Sequence, residues 1–318
     1  MKLLSLLRWE LVQTTRGLAP HAAVITTSLA SAGLVASGML VISKWSPFTP
    51  TQSFGFRPPQ QSQFMSLVGE HRGDVAFLVI LTWVLLIASL VGPAFTAGSI
   101  VRDRHSGRLD RLLLDASRSE LVAIVKFLVA LIPLGLVVAT VGPSASFAWL
   151  TGGLPTGEAI VQVVILILAL GLVCAIGLVA SALATTEVTA LIVSFLATMT
   201  IFWGPILGGI GLFVSGHTAV GESILSFSPT AALFSVESEL ATSFAHSAPR
   251  AWPRPRLAWD IGTLAVPVWL VDALLYAAIA VALVWLTSVL IDPLHPLRTR
   301  LTRRPDASDL ADNEAVLA

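Results

Sequence analysis

Long apolar runs separated by short polar breaks occupy most of this chain. A helix needs roughly 20 predominantly apolar residues to cross the hydrocarbon of a bilayer. Runs of that kind fall at about 18–43, 75–99, 127–150, 159–184, 188–214 and 266–291. The pattern predicts six membrane-spanning helices, with Pro93, Pro133, Pro143 and Pro205 inside them as kinks rather than ends. Ahead of the first run, Leu3, Leu4, Leu7 and Leu11 recur at helical spacing, while Lys2, Ser5, Arg8 and Gln13 fall largely elsewhere. Residues 1–17 therefore read either as a helix lying in the headgroup region or as the frayed start of the first span. Arg8 and Glu10 break that segment's apolar core too early for a secretion signal, so no cleavage is expected. The expected fold is an all-α polytopic membrane domain over 1–292, followed by a polar tail at 293–318 too poor in apolar residues to order itself.

Composition agrees with the pattern. Of 318 residues, 55% are hydrophobic and 12% charged, and the mean hydropathy of +0.84 leaves too little polar surface to cover a soluble globule. A net charge of zero argues against nucleic acid as a partner, but it conceals a separation between the two ends of the spans. With the amino terminus inside, one side holds Lys2, Arg8, Arg16, the six basic residues from Arg102 to Lys126, and Arg298, Arg300, Arg303 and Arg304. The other side holds Lys44, Arg57, Arg72, Arg250, Arg254 and Arg256. That is the asymmetry of a protein with both termini in the cytoplasm. The single cysteine, Cys174, excludes an intrachain disulfide and a cysteine-based metal site.

On the outer side, residues 44–73 read as an extended Pro- and Gln-rich excursion. Glu70, His71 and Asp74 carry metal-binding groups without ligand spacing and read as a solvated turn. Within 215–265, Ser228 as N-cap and Pro229 at the first turn predict a short helix over 228–240 near the outer membrane face. Trp252, Trp259 and Trp269 are placed like interface anchors. Asp272 has two readings. If the hydrocarbon begins there, the uncharged stretch Ala273–Ile291 is already long enough to cross and Asp272 is an interfacial helix start, the simpler reading. If the helix enters near Leu264, Asp272 is a buried carboxylate that could face a substrate path. Gly204 and Gly208 form a GxxxG pair, a candidate dimer contact or, more commonly for such faces, a packing contact within the chain; Gly171, Ala175, Gly177 and Ser181 are read the same way.

One segment departs from the pattern. SIVRDRHSGRLDRLLLDASRSELVAIVK, residues 99–126, carries six basic and four acidic side chains between two apolar runs. At about 2.5–3.5 kcal/mol for each Arg, Lys or Asp at a helix centre, it must face water. Leu109, Leu112 and Leu113 recur at i, i+3 and i+4, with Arg104, Arg108 and Arg111 on another face. An amphipathic helix of this kind suits docking to a protein and lying on anionic lipid equally well.

The run PAFTAGSIVRDRHSGRLDRLLLDASRSELVAIVK resembles the signature of the permease subunits of type 2 ATP-binding-cassette (ABC) transporters. The matching positions are Pro93, Ala97, Ile100, Asp103, Arg104, Gly107, Leu109, Leu112, Ser117, Arg118, Glu120 and Lys126. Asp103 stands for the usual Glu, Arg108 for a Thr and Ala116 for a Pro, and the interval from Glu120 to Lys126 is one residue longer. RWELVQTTRG is similar to the family's cytoplasmic entry helix, TTEVTALIVSFLATMTIFWGPILGG to its fifth span, and FSPTAAL to its Ser-Pro element before the last span. The resemblance implies that the loop after the second span is a coupling helix seated in a groove of a separate ATP-binding subunit. It assigns the groove contact to Leu109, Leu112 and Leu113 and the polar rim to Arg104, Arg108 and Arg111. Gly107 would start or bend the helix where a side chain would obstruct. Thr185, Thr186 and Glu187 would form a shorter second contact, although Glu187 taken alone reads as a helix-end charge.

No cofactor is expected on this chain. Lys2, Lys44 and Lys126 are its lysines, and none ends the glycine-rich turn of a phosphate-binding loop. ATP and magnesium would sit on the partner subunit, and a second permease copy, identical or related, would complete the pathway. The competing readings are an ion-driven carrier, which would show intramembrane charges or broken helices, and a non-transporting scaffold. A membrane enzyme would need paired acids or an activated nucleophile within the spans, and the pattern offers neither. Nothing in the outer loops specifies a cargo.

Overall fold

The computed structural model describes residues 72–116, 119–152, 155–236, 258–261 and 264–292. The expected first span at 18–43, the interfacial segment, Trp252 and the tail lie outside the described residues. What is described is mostly helical. In chain order, α1 is Arg72–Thr96, α2 Ser99–His105, α3 Arg108–Ala116, α4 Ser119–Gly152, α5 Thr156–Leu183 and α6 Glu187–Val214. Then follow α7 Thr218–Leu225, α8 Pro229–Val236, strands β1 Ala258–Ile261 and β2 Leu264–Pro267, and α9 Val268–Ile291. Among the described residues, five helical stretches are long and apolar enough to cross a membrane: Gly73–His105 (α1 running on through α2), α4, α5, α6 and α9. They correspond to five of the six predicted spans. Pro93, Pro133, Pro143 and Pro205 all lie inside helices, as expected.

The bundle is built around α5. Its apolar positions face every direction, as in a helix surrounded by others, and 72% of its most apolar window is buried, against 22% for α6. α5 packs against α1, α4, α6, α8 and α9, which places α6 at the periphery. The main core runs through Phe77, Leu85, Leu134, Leu166, Leu172, Phe202 and Tyr276. Close approach of α1 to α5 depends on two glycines. A Cβ at Gly177 would overlap Thr96, and one at Gly92 would lie 2.5 Å from a Val173 methyl. The small residues of α5 thus pack within the chain, as read from their spacing.

The segment after α6 holds more structure than its sequence shows. The predicted N-cap is present: Ser228 Oγ accepts from the Ala231 amide at 3.1 Å, and α8 starts at Pro229. Before it lies a helix the hydropathy pattern does not reveal, α7, and the two arms meet at 85°. The α6–α7 crossing is close because both helices bring a glycine to it. A Cβ at Gly209 would come within 2.9 Å of the Gly221 carbonyl oxygen, and one at Gly221 within 2.7 Å of the Gly209 oxygen. β1 and β2 form an antiparallel hairpin with Trp259 opposite Val266. It occupies the predicted start of the last span, so the helix begins at Val268 rather than at 266. Trp259 packs its ring against Phe227 with centroids 5.3 Å apart, and Trp269 packs against the main core.

Candidate functional site: the charged end of the bundle

Residues 99–126 fold into α2, a turn, α3 and the start of α4. The turn falls at Gly107, whose φ of +65° lies in the left-handed region that a side chain disfavours. No atom lies within 4 Å of where its Cβ would stand. Glycine is favoured here by backbone conformation, and within the chain itself nothing stands where its side chain would lie.

The leucine stripe faces the opposite way from the expectation. Leu109 and Leu112 are 6% and 7% exposed, packed with Ile100, Val122, Ala123, Leu178, Leu290 and Ile291 of the chain's own helices. Leu113 lies partly buried against the same cluster. Burying a Leu side chain is worth about 1.5–3 kcal/mol, so these residues hold α3 down and are not free for a partner's groove. On the outward side of α3 stand Asp110, Arg111 and Leu114, and Leu114 is 82% exposed. Leu114 falls off the stripe formed by Leu109, Leu112 and Leu113, so periodicity does not mark it.

The charges are tied inward as well. Asp103 is buried, hydrogen-bonded to the buried Lys126 ammonium of α4, with Arg108 Nη1 at 3.9 Å from its other oxygen. The arginine compensates where the acid is desolvated, because a buried carboxylate needs its full set of partners. Arg104 donates to the carbonyls of Ala182 (2.9 Å) and Ala184 (3.2 Å). It thereby serves carbonyls that the end of α5 leaves without helical partners. The exchange runs both ways: Ser181 Oγ of α5 accepts from the Ile100 and Val101 amides at 3.0 and 3.2 Å, capping α2, whose own N-cap residue Gly98 has no side chain. Arg102 grips Glu187 at the start of α6 through two bonds of 3.2 and 3.1 Å. Both side chains of that pair are substantially exposed, so its net worth is at most about 1 kcal/mol. Thr186 caps α6 by accepting from the Thr189 amide at 3.2 Å. Thus Asp103, Arg104, Gly107, Arg108, Leu109, Leu112 and Glu187 all belong to one interlocked structure, with Arg111 on its rim.

The interlock ties the charged segment to α4, α5 and α6 at once. No family model, curated protein or solved structure matches this chain. Its chemistry therefore has to be read from its own side chains. Among the described residues there is no group of three His, Cys, Asp or Glu able to hold a metal ion; Glu70 and His71 lie outside them.

The remaining candidates lie within the bundle. Gly204 and Gly208 do not make the close crossing: beyond its own helix Gly208 has only an Ile224 methyl, at 4.0 Å, and the pair Gly209–Gly221 carries the contact instead. Leu207, Gly208 and Gly211 look outward from the peripheral helix, with Leu207 71% exposed, and Gly204 is half-buried. Asp272 is buried within the protein. It lies in the second turn of α9, is 0% exposed, and neither carboxylate oxygen has a hydrogen-bond partner. That burial depends on the helices α4, α5 and α8 packed around α9, which hydropathy alone does not report.

Proposed function

We propose that this chain is the membrane-spanning subunit of an ATP-driven ABC exporter, working with a separate ATP-binding subunit. In this reading it has six spans, the first at 18–43, and both termini in the cytoplasm. It lies in a cell membrane of the bacterial inner-membrane kind, and a second permease copy completes the pathway. The observation that carries the proposal is the interlock: α2–α3 is anchored to three long helices by a buried ion pair, backbone bonds in both directions and a leucine cluster. A segment meant only to rest on lipid needs no such fixing, whereas one that transmits force does. Moving a two-state equilibrium from 1:99 to 99:1 takes about 5.5 kcal/mol of differential binding, which a loose tether cannot pass on.

The partner contact is assigned to the outward face of α3, Asp110, Arg111 and Leu114, with the exposed Thr185 and Thr186 beside it. The outward glycine face of α6 is assigned to the second copy. The test is to coexpress the chain with the ATPase of a neighbouring reading frame and compare wild type with Leu114→Asp. Losing a central apolar anchor costs about 2–4 kcal/mol, or roughly 30- to 1,000-fold in affinity. The variant should reach the membrane normally yet fail to copurify the ATPase or stimulate it. Undiminished copurification and ATPase activity would remove the docking role. The ion-driven alternative is favoured by one observation, the buried acid Asp272, and predicts transport that survives without any ATPase.

A further inference from the structure

We infer that Asp272 is a proton-binding site, carried neutral while the bent α7–α8 segment is seated and ionised when that segment lifts. Asp272 is fully buried in a helix apolar enough to cross a membrane, and neither of its oxygens has a hydrogen-bond partner. An unpaired carboxylate in such a place costs several kcal/mol, and the neutral acid removes most of that cost.

The same face of α9 is tied to the bent segment. Tyr276, one turn further along the same face of α9, donates from its hydroxyl to the Phe227 carbonyl between α7 and α8 at 3.0 Å. Gln162 of α5 donates to the Leu233 carbonyl of α8 at 3.2 Å. α8 therefore rests on α5 and α9 through two polar bonds to backbone, alongside its apolar contacts. The helix α7 reaches the bundle through the glycine crossing on the peripheral α6.

Among the described residues, few charges lie on the elements around the site. Of the elements packed against α9, α5 contributes Glu158 at its start and Cys174 in the core. α4 contributes Glu120 and Lys126 at the far, charged end, and the bent segment contributes Glu222. None of these is hydrogen-bonded to Asp272, leaving Tyr276 as the ionisable neighbour on its own face. Seating the segment buries the carboxyl and takes up one proton. Seating is therefore favoured at low pH and is lost as pH rises through the titration of the buried acid. The inference does not depend on an ATP-binding partner.

The test uses the purified full chain in lipid nanodiscs. Infrared spectroscopy should show the carbonyl stretch of a protonated carboxylic acid near neutral pH, disappearing as pH is raised. The band should be absent from Asp272→Asn and retained, shifted, in Asp272→Glu, which keeps the proposal testable if the Asn variant folds poorly. Hydrogen exchange across 218–236, corrected for the intrinsic rate, should rise at least tenfold over the same pH interval in wild type and stay flat in Asp272→Asn. A wild-type spectrum without the protonated-acid band at neutral pH would overturn the site. The band present with exchange unaffected by pH, or equally affected in both proteins, would overturn the link to the bent segment.

Discussion

The Asp103–Lys126 pair offers a quantitative test of how the charged segment is held. Replacing Lys126 with Met keeps a long side chain and removes the ammonium, leaving Asp103, 5% exposed, with Arg108 at 3.9 Å as its remaining ion-pair partner among the described residues. Breaking one partner out of a buried pair costs about 3–5 kcal/mol. At roughly 2–4 °C per kcal/mol for a chain of this class, the unfolding midpoint should fall by about 10 °C. Removing both charges with Asp103→Leu/Lys126→Met should recover most of the loss, because paired apolar replacements are close to neutral. Arg108, partly exposed, can then turn to water. The chain carries its own reporter: Cys174 is the sole cysteine and is 0% exposed, so a thiol-reactive fluorophore should label it only as the bundle opens. If Lys126→Met lowers the midpoint by less than about 2 °C, or if the double variant is as damaged as the single, the pair does not anchor the segment.

The same thermal assay separates three other claims. Arg104→Ala, which strips two charge-assisted bonds from the end of α5, should cost about 1.5–3 kcal/mol per bond at most, with Arg104→Lys recovering part of it; a neutral Ala variant would show that water replaces the arginine. Gly107→Ala should cost about 1–2 kcal/mol despite the open space around it, and Gly107→Asn less, since Asn tolerates a positive φ; equal effects would point away from backbone conformation. Gly221→Ala should separate α7 from α6 and destabilise by about 1–3 kcal/mol, whereas Gly208→Ala should be near neutral. The reverse order would restore the GxxxG pair as the packing contact.

Hydropathy by itself determined the class, the mostly helical architecture and the position of the five long helices among the described residues to within several residues, because an apolar run of spanning length has few alternatives. Local chemistry was equally legible where it acts over one turn, as at Ser228 and Pro229. The charged segment stands out from its residues alone as a break between two apolar runs. Its direction does not, since periodicity places Leu109, Leu112 and Leu113 on one face without saying whether that face meets a partner or the chain itself. Only tertiary structure turned it inward, by bringing Leu178 and Leu290 from distant helices beneath it. The partnerships Asp103–Lys126, Arg104–Ala182 and Ser181–Ile100 span 23 to 81 residues in sequence, beyond the reach of any local pattern. Asp272 shows the same limit: counting residues gave a sufficient helix without it, yet burial depends on what other segments lay over that helix. Sequence reports what each stretch must hide from water or lipid, and the packed bundle decides against what it is hidden.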